Sequence, residues 1–150
     1  MTIQEQLRRY PALRLENENR LEKLERMRSA ARLPPMKESD GSRRTGTGGD
    51  RMARAVEACI EYEEQIRPIV AANRREMERI EAAVAALADP MEREVLRLRY
   101  LDSPDFKPER WREIALWLYG SDEKRYLDAL GRIHRSALEH LENCEGFEVK

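Results

Sequence analysis

The chain has 150 residues, of which 41% are hydrophobic and 38% are charged, and its formal net charge is -1. Soluble domains average about 25% charged residues, so this composition favours long helices with many ion pairs over a β-sandwich or an α/β enzyme. No stretch approaches the roughly 18 consecutive apolar residues of a membrane span, and the polar start of the chain lacks the apolar core of a signal peptide. We therefore expect an all-α cytoplasmic protein without a membrane partner, in which Cys59 and Cys144 are reduced.

The first 50 residues are predicted to form a helical segment and a linker. Ile3, Leu7 and Tyr10 have helical spacing, and Pro11 is expected to perturb or restart the helix. The helical segment covers residues 1–33, where a second apolar stripe comprises Leu21, Leu24, Met27 and Ala31. Two prolines then end the helix, and residues 34–50 are rich in glycine and polar side chains, which predicts a flexible linker.

A heptad pattern runs through residues 51–88 and predicts one long helix. Its seam positions are Met52, Val56, Cys59, Glu63, Ile66, Val70, Asn73, Met77, Ile80, Val84 and Leu87. Pro68 is expected to kink the helix. The two polar seam positions, Glu63 and Asn73, either determine the register of the pairing or lie where the seam is open to solvent. A seam of this kind requires a partner helix, which lies either in the same chain or in the second copy of a homodimer.

Residues 89–143 are predicted to contain three helices, followed by a tail at 144–150. Asp89 as N-cap, Pro90 in the first turn and Glu92 as the partner in a capping box begin the first helix, which ends near Leu101. Its core candidates are Met91, Val95, Leu96 and Leu98. A loop with two prolines follows at 102–109.

The next two helices have the outline of a helix-turn-helix. A short helix over 110–119 is predicted to face inward through Trp111, Ile114, Ala115 and Leu118, whereas Trp117 lies off that stripe and is a candidate partner contact. Gly120 is expected to adopt the left-handed conformation after it. Ser121 is then the expected N-cap of a longer helix that reaches Asn143.

The longer helix separates into two faces when its residues are placed about 100° apart. The predicted inner face comprises Tyr126, Leu127, Leu130, Ile133, His134, Ala137 and Leu141. The candidate DNA-binding residues lie at the start of this longer helix or on its outer face: Ser121, Lys124, Arg125, Asp128, Arg132, Arg135 and Ser136. Arg125 and Arg132 are expected at base edges or phosphates, and Lys124 and Arg135 at phosphates. The alternative interpretation is an ordinary solvated helix face.

Three stretches of the chain, DPMEREVLRLRYLD, WREIALWLYGS and RIHRSALEHL, resemble region 4 of sigma-70-type factors over residues 87–141. Most of the chain also resembles the sigma-like phage and prophage transcriptional regulators of the RinA and ArpU kind, through Tyr10, the GTGGD stretch and the long helix that follows it. The resemblance implies a regulator that binds double-stranded DNA and contacts RNA polymerase. The resemblance includes no counterpart of sigma region 2 in this chain, so it implies an accessory factor instead of a complete sigma factor.

No pattern predicts an enzyme, a metal or a cofactor. The glycines at 46–49 lack the ending of a phosphate-binding loop, and His140 with Cys144 lacks the second ligand pair of a structural zinc site. Nothing combines a nucleophile, a base and an orienting group.

Two further functions stay open at this stage. One is a protein-interaction module that binds RNA polymerase without DNA, which the near-zero net charge favours. The other is a DNA-binding subunit of a phage packaging machine, similar to a small terminase, for which a ring-sized mass in solution is expected.

Overall fold

The computed structural model describes residues 1–32 and 47–144, in which every regular element is a helix. The elements in chain order are α1 (Ile3–Arg32), α2 (Thr47–Ala85), α3 (Pro90–Leu96), a π-helical segment (Arg97–Leu101), α4 (Trp111–Tyr119) and α5 (Lys124–Glu142). The all-α prediction is confirmed for these residues. Among them, no helix combines the length and the apolar character that crossing a membrane requires.

The two prolines inside the long helices do not interrupt them. α1 continues through Pro11 and α2 through Pro68, although each proline removes one backbone hydrogen bond. Of the two effects predicted for Pro11, the restart is wrong, because α1 is continuous from Ile3 to Arg32. The ring of Pro11 is buried. α2 also begins at Thr47, so residues 47–50 belong to a helix and not to the predicted linker; residues 34–46 lie outside the described part of the chain.

The chain divides into two compact units, and the division falls within α1 and within α2. One unit comprises Met1–Glu16 and Asn73–Lys150, and the other comprises Asn17–Ala72. The sequence gives no sign of this division, since the helical pattern of α2 continues across it.

The unit of residues 17–72 has a small core. Leu24 of α1 packs with Ile66 and Val70 of α2, and the Asn17 side-chain amide donates to the Val70 carbonyl at 3.2 Å. The seam residue Glu63 forms a 3.0 Å ion pair with Arg28. The middle of the heptad seam therefore pairs within the chain.

The other unit contains two larger clusters that share α3 and α5. The first joins the start of α1 to the end of α2 and consists of Ile3, Leu7, Tyr10, Ile80, Val84, Leu87, Leu96, Tyr100, Ala137 and Leu141. The second lies between α3, α4 and α5 and consists of Val95, Ile114, Ala115 and Leu130. The last part of the heptad seam thus also pairs within the chain, with the N-terminal residues that the sequence pattern assigned to a separate segment.

Local capping signals have mixed outcomes. Asp89 is the N-cap of α3, where its carboxylate accepts from the Met91 N–H at 2.9 Å. Gly120 ends α4 in the left-handed conformation with φ 72°. The prediction for Ser121 is wrong, because α5 begins only at Lys124 and the Ser121 hydroxyl accepts from the Glu123 N–H at 3.3 Å in the link before it.

Candidate nucleic-acid interface

α4 and α5 are held together by a shared apolar core. Ile114 and Ala115 of α4 are fully buried with Leu130 of α5, and the half-buried Trp111 and Leu118 pack against them. The small side chain of Ala115 lets α5 approach α4 closely. The predicted inward stripe of the short helix is confirmed.

The predicted inner face of α5 is also confirmed. Leu130, His134, Ala137 and Leu141 are buried, and Tyr126, Leu127 and Ile133 pack against the cluster between α4 and α5. This packing determines the rotation of α5 and hence which residues it presents to solvent.

His134 is a packed histidine on that inner face. Its Nε2 atom lies 2.7 Å from the Tyr100 hydroxyl, and its ring meets the Trp111 ring edge-on at 4.9 Å. Burial, followed by the charges of Arg99 and Arg8, lowers the pKa of His134 to about 4. The imidazole is therefore neutral at physiological pH and completes the core beside α4.

The solvent face of α5 carries most of the predicted DNA-binding residues. Five of the predicted residues are exposed on it: Lys124, Arg125, Asp128, Arg132 and Arg135. Ser121 is half-buried in the link before α5. Glu139 is exposed on the same face, so four cations stand against two carboxylates, an excess of positive charge suited to binding a polyanion such as a nucleic-acid backbone.

Ser136 does not belong to this face. Its hydroxyl donates to Glu92 Oε1 of α3 at 2.7 Å, so the prediction that it points outward is wrong. The cause is the Glu92 carboxylate, which is only 3% exposed and requires hydrogen-bond donors from α5.

Glu92 has a different role from the one the sequence suggests. It does not cap α3, because its carboxylate points to α5 and also contacts His140 Nδ1 at 2.8 Å. The hydrogen bond with Glu92 and the charge of Glu92 raise the pKa of His140. The position of Glu92 three and four residues before Val95 and Leu96 puts it on the buried stripe of α3, a signal that competes with the capping pattern.

An aromatic stack holds Arg125 at the start of α5. The guanidinium lies 4.6 Å from the Tyr126 ring centroid, donates to the Tyr126 hydroxyl at 2.8 Å and is 3.0 Å from the Glu123 carboxylate. The Tyr126 ring in turn stacks on Tyr119 at 4.8 Å. Helical periodicity does not predict this arrangement, although Tyr119 before the link and Tyr126 in the first turn of α5 are its visible trace in the sequence.

The loop at 102–109 is fixed by two arginines that the sequence analysis also missed. Arg14 of α1 donates to the Leu101 carbonyl at 2.9 Å and to the Ser103 carbonyl. Arg99 donates to the Glu109 carbonyl and lies over the Trp111 ring at 4.5 Å. These contacts attach the loop to its own unit and position the start of α4.

Two large apolar side chains are exposed on the outer face of α4, beside the exposed Arg112. Trp117 is 56% exposed and its neighbour Leu116 is 42% exposed, which agrees with the prediction that Trp117 lies off the inward stripe. No group of three or more His, Cys, Asp or Glu side chains in the described ranges is arranged to hold a metal ion. Comparison of the chain with protein-family models, with curated proteins and with solved structures finds no match.

Proposed function

We propose that this chain is a DNA-binding transcriptional regulator that reads double-stranded DNA with α4 and α5 as a helix-turn-helix. One observation carries the proposal. The inner faces of α4 and α5 share a core across the Gly120 link, and the outer face of α5 presents Lys124, Arg125, Arg132 and Arg135. The likeness to region 4 of sigma factors and to phage regulators supports it from the sequence side.

In this proposal α5 enters the major groove through its N-terminal half. Arg125 and Arg132 are seven residues apart, which is about 10 Å along a helix and corresponds to about three base-pair steps of 3.4 Å. Both can therefore reach base edges or phosphates of one groove. Lys124 and Arg135 contact phosphates, while Asp128 between them disfavours part of the possible backbone contacts.

The net charge of -1 limits the affinity that bulk electrostatics can supply. We therefore expect weak binding to arbitrary DNA and a preference for a particular segment. Regulation in the manner of a sigma-like accessory factor would add a contact with RNA polymerase. The exposed Leu116 and Trp117 on α4 form an apolar surface suited to such a contact.

The test begins with selection of bound duplexes from a random pool, followed by fluorescence anisotropy with the selected duplex. Arg132→Ala is expected to raise Kd by about 10-fold, and Arg125→Ala by a similar factor, because each removes a charge-assisted contact of about 1–3 kcal/mol. Arg75→Ala is the matched control, since Arg75 is an exposed arginine on α2. Equal affinity of Arg132→Ala, Arg125→Ala and the control would refute the site.

A second candidate function is a protein-interaction module without DNA affinity. The exposed Leu116 and Trp117 favour it, as do the acidic Glu139 and Glu142 near the end of α5. Co-purification with RNA polymerase that Trp117→Ala abolishes, together with no retention on DNA at low salt, would select this candidate. Loss of DNA binding in Arg132→Ala with intact polymerase binding would select the first.

A further inference from the structure

The unit of residues 17–72 carries an apolar groove on its surface. Met52, Val56 and Ile60 follow one another at four-residue spacing on α2 and are 44%, 44% and 51% exposed. Together with Ala31 and Cys59 they line a groove of about 420 Å³ between the end of α1 and the start of α2. We refer to this surface as the 52–60 groove.

Three large apolar side chains on consecutive turns are more than the scattered exposure that every protein surface shows. Met52 and Val56 are also positions of the heptad seam whose later residues, Ile66 and Val70, are buried against the same chain. The seam is therefore covered within the chain in its middle and left uncovered at its start.

The two edges of the 52–60 groove have opposite charge. Arg28 and Arg32 line its α1 edge together with Glu63 of α2. Because Glu63 forms an ion pair with Arg28, Arg32 carries the net positive charge of this edge. On α2, the buried Cys59 and Ile66 lie to one side of Val56, and the helical period of 3.6 puts Glu57 and Glu64 about 80–100° to the other side. One edge is therefore basic and the opposite edge is acidic.

The contacts within this unit also show where these charged residues lie along the axes of α1 and α2. α1 and α2 run antiparallel, since Asn17 bonds to Val70 while Arg28 pairs with Glu63. Counting along both helices from these two contacts puts Glu57 level with the region of Arg32. An acidic and a basic side chain thus flank the groove at the same height.

We infer that a second copy of this chain covers the 52–60 groove in a two-fold dimer whose axis runs along α1 and α2. Such an axis brings Met52, Val56 and Ile60 of one protomer against the same residues of its partner. It also lays the basic edge of one protomer over the acidic edge of the other. Arg32 of each protomer then faces Glu57 of its partner. The charge pattern is self-complementary in this orientation, which is why a second copy is a better occupant than an unrelated protein.

The inference goes beyond the proposed function and stands independently of it. A dimer would supply two recognition helices to a DNA-binding regulator, and it would equally serve a protein-interaction module. Its tests involve no DNA, so a failed dimer and a failed DNA site are distinguishable results.

The first test is the molar mass of the full chain by sedimentation equilibrium over a range of concentrations. We expect twice the 17.6 kDa of one chain at high concentration. Val56→Asp should raise the dimer Kd by about 100-fold, because it places an unpaired carboxylate in an apolar contact. Ile69→Asp is the matched control, as Ile69 is a similarly exposed residue of α2 that lies off the stripe.

The second test reverses the charges of the two edges. Arg32→Glu and Glu57→Arg should each raise the dimer Kd by about 5-fold to 10-fold, since each variant creates two like-charge pairs in the dimer. The double variant should recover the affinity of the natural chain, because the pairs are restored with reversed sign. Recovery cannot arise from unfolding, so this test holds even if Val56→Asp fails to fold.

Four results would overturn the inference. A monomer at all accessible concentrations excludes it, and so does a monomer that binds a different protein through the groove. A dimer that Val56→Asp and Ile69→Asp weaken equally places the interface elsewhere. Additive losses in the double charge variant contradict the two-fold orientation.

Discussion

His134 is a buried titratable group whose protonation opposes folding. Its pKa of about 4 in the folded chain lies below the ordinary value of 6.5, so the unfolded chain binds a proton between these values that the folded chain does not. The stabilisation is therefore complete above about pH 6.5 and is lost as the pH falls towards 4. We expect His134 to contribute a slope of at most about 1.4 kcal/mol per pH unit to the free energy of unfolding in this window.

The measurement is urea unfolding at several pH values between 4 and 7. Because carboxylates also titrate there, the quantity to compare is the difference in slope between the natural chain and His134→Gln, which lacks the titration. His140→Gln is the matched control, since the pKa of His140 is raised, not lowered. Equal slopes for the natural chain and His134→Gln would contradict the assignment.

Single-residue roles on a helix face were predictable only where the periodicity alone decides them. The inward position of His134 follows from its place between Leu130 and Ala137, but its partner Tyr100 is 34 residues away in the sequence. Ser136 lies beside the same face and points towards Glu92, 44 residues away. A single sequence contains no information on such pairs, so both were missed.

Gly120, at the end of α4, and Gly131, inside α5, are two glycines whose replacement has opposite expected effects. An added Cβ at either one would meet no atom of the described chain within 4 Å, so sterics with the surroundings do not decide the outcome. Gly120 has φ 72°, which costs an L-residue about 1–2 kcal/mol. Gly131 lies inside α5, where glycine is about 0.5–1 kcal/mol less stable than alanine.

We therefore expect Gly120→Ala to lower the free energy of unfolding by about 1 kcal/mol and Gly131→Ala to raise it by about 0.5–1 kcal/mol. Chemical denaturation of the two variants beside the natural chain gives both values, and each serves as the control of the other. Destabilisation by Gly131→Ala of the same size as by Gly120→Ala would show that the link conformation is not the cause.

Helix ends were predictable where the capping residue acts on its own neighbours. The Asp89 cap and the Gly120 terminus are confirmed because both depend on backbone atoms a few residues away. The start of α5 was misplaced, since Asp122 lies in the link and pairs with Arg112 of α4 at 2.9 Å. Tertiary contacts of the link therefore determine the residue at which α5 begins.

On the scale of the whole chain, the heptad pattern predicted the long helix correctly but not its partners. In one unit Leu24 of α1 packs with Ile66. In the other, Ile80 belongs to a cluster that contains Leu7 of α1 and also residues of α3 and α5. Separate cores along one helix are invisible to a periodicity analysis, because the seam has the same spacing in both.

The two units should differ in local stability. The core of residues 17–72 contains three buried residues, Leu24, Ile66 and Val70, whereas ten residues form the first cluster of the other unit alone. Local opening requires less free energy where fewer apolar side chains are buried. Native-state hydrogen exchange should therefore show faster amide exchange in α2 before Ala72 than after Asn73, within one continuous helix.

Two variants make this prediction specific. Ile66→Ala should raise exchange rates within residues 17–72 and leave those of α3 to α5 unchanged, since it removes packing only from the smaller core. Ile80→Ala should lower protection across the other unit, by about 2–5 kcal/mol for a fully buried isoleucine. Dilute samples are required, because dimerisation at the 52–60 groove would add protection to the smaller unit. Uniform protection along α2, or a response of both units to Ile66→Ala, would mean that the chain opens as a single cooperative body.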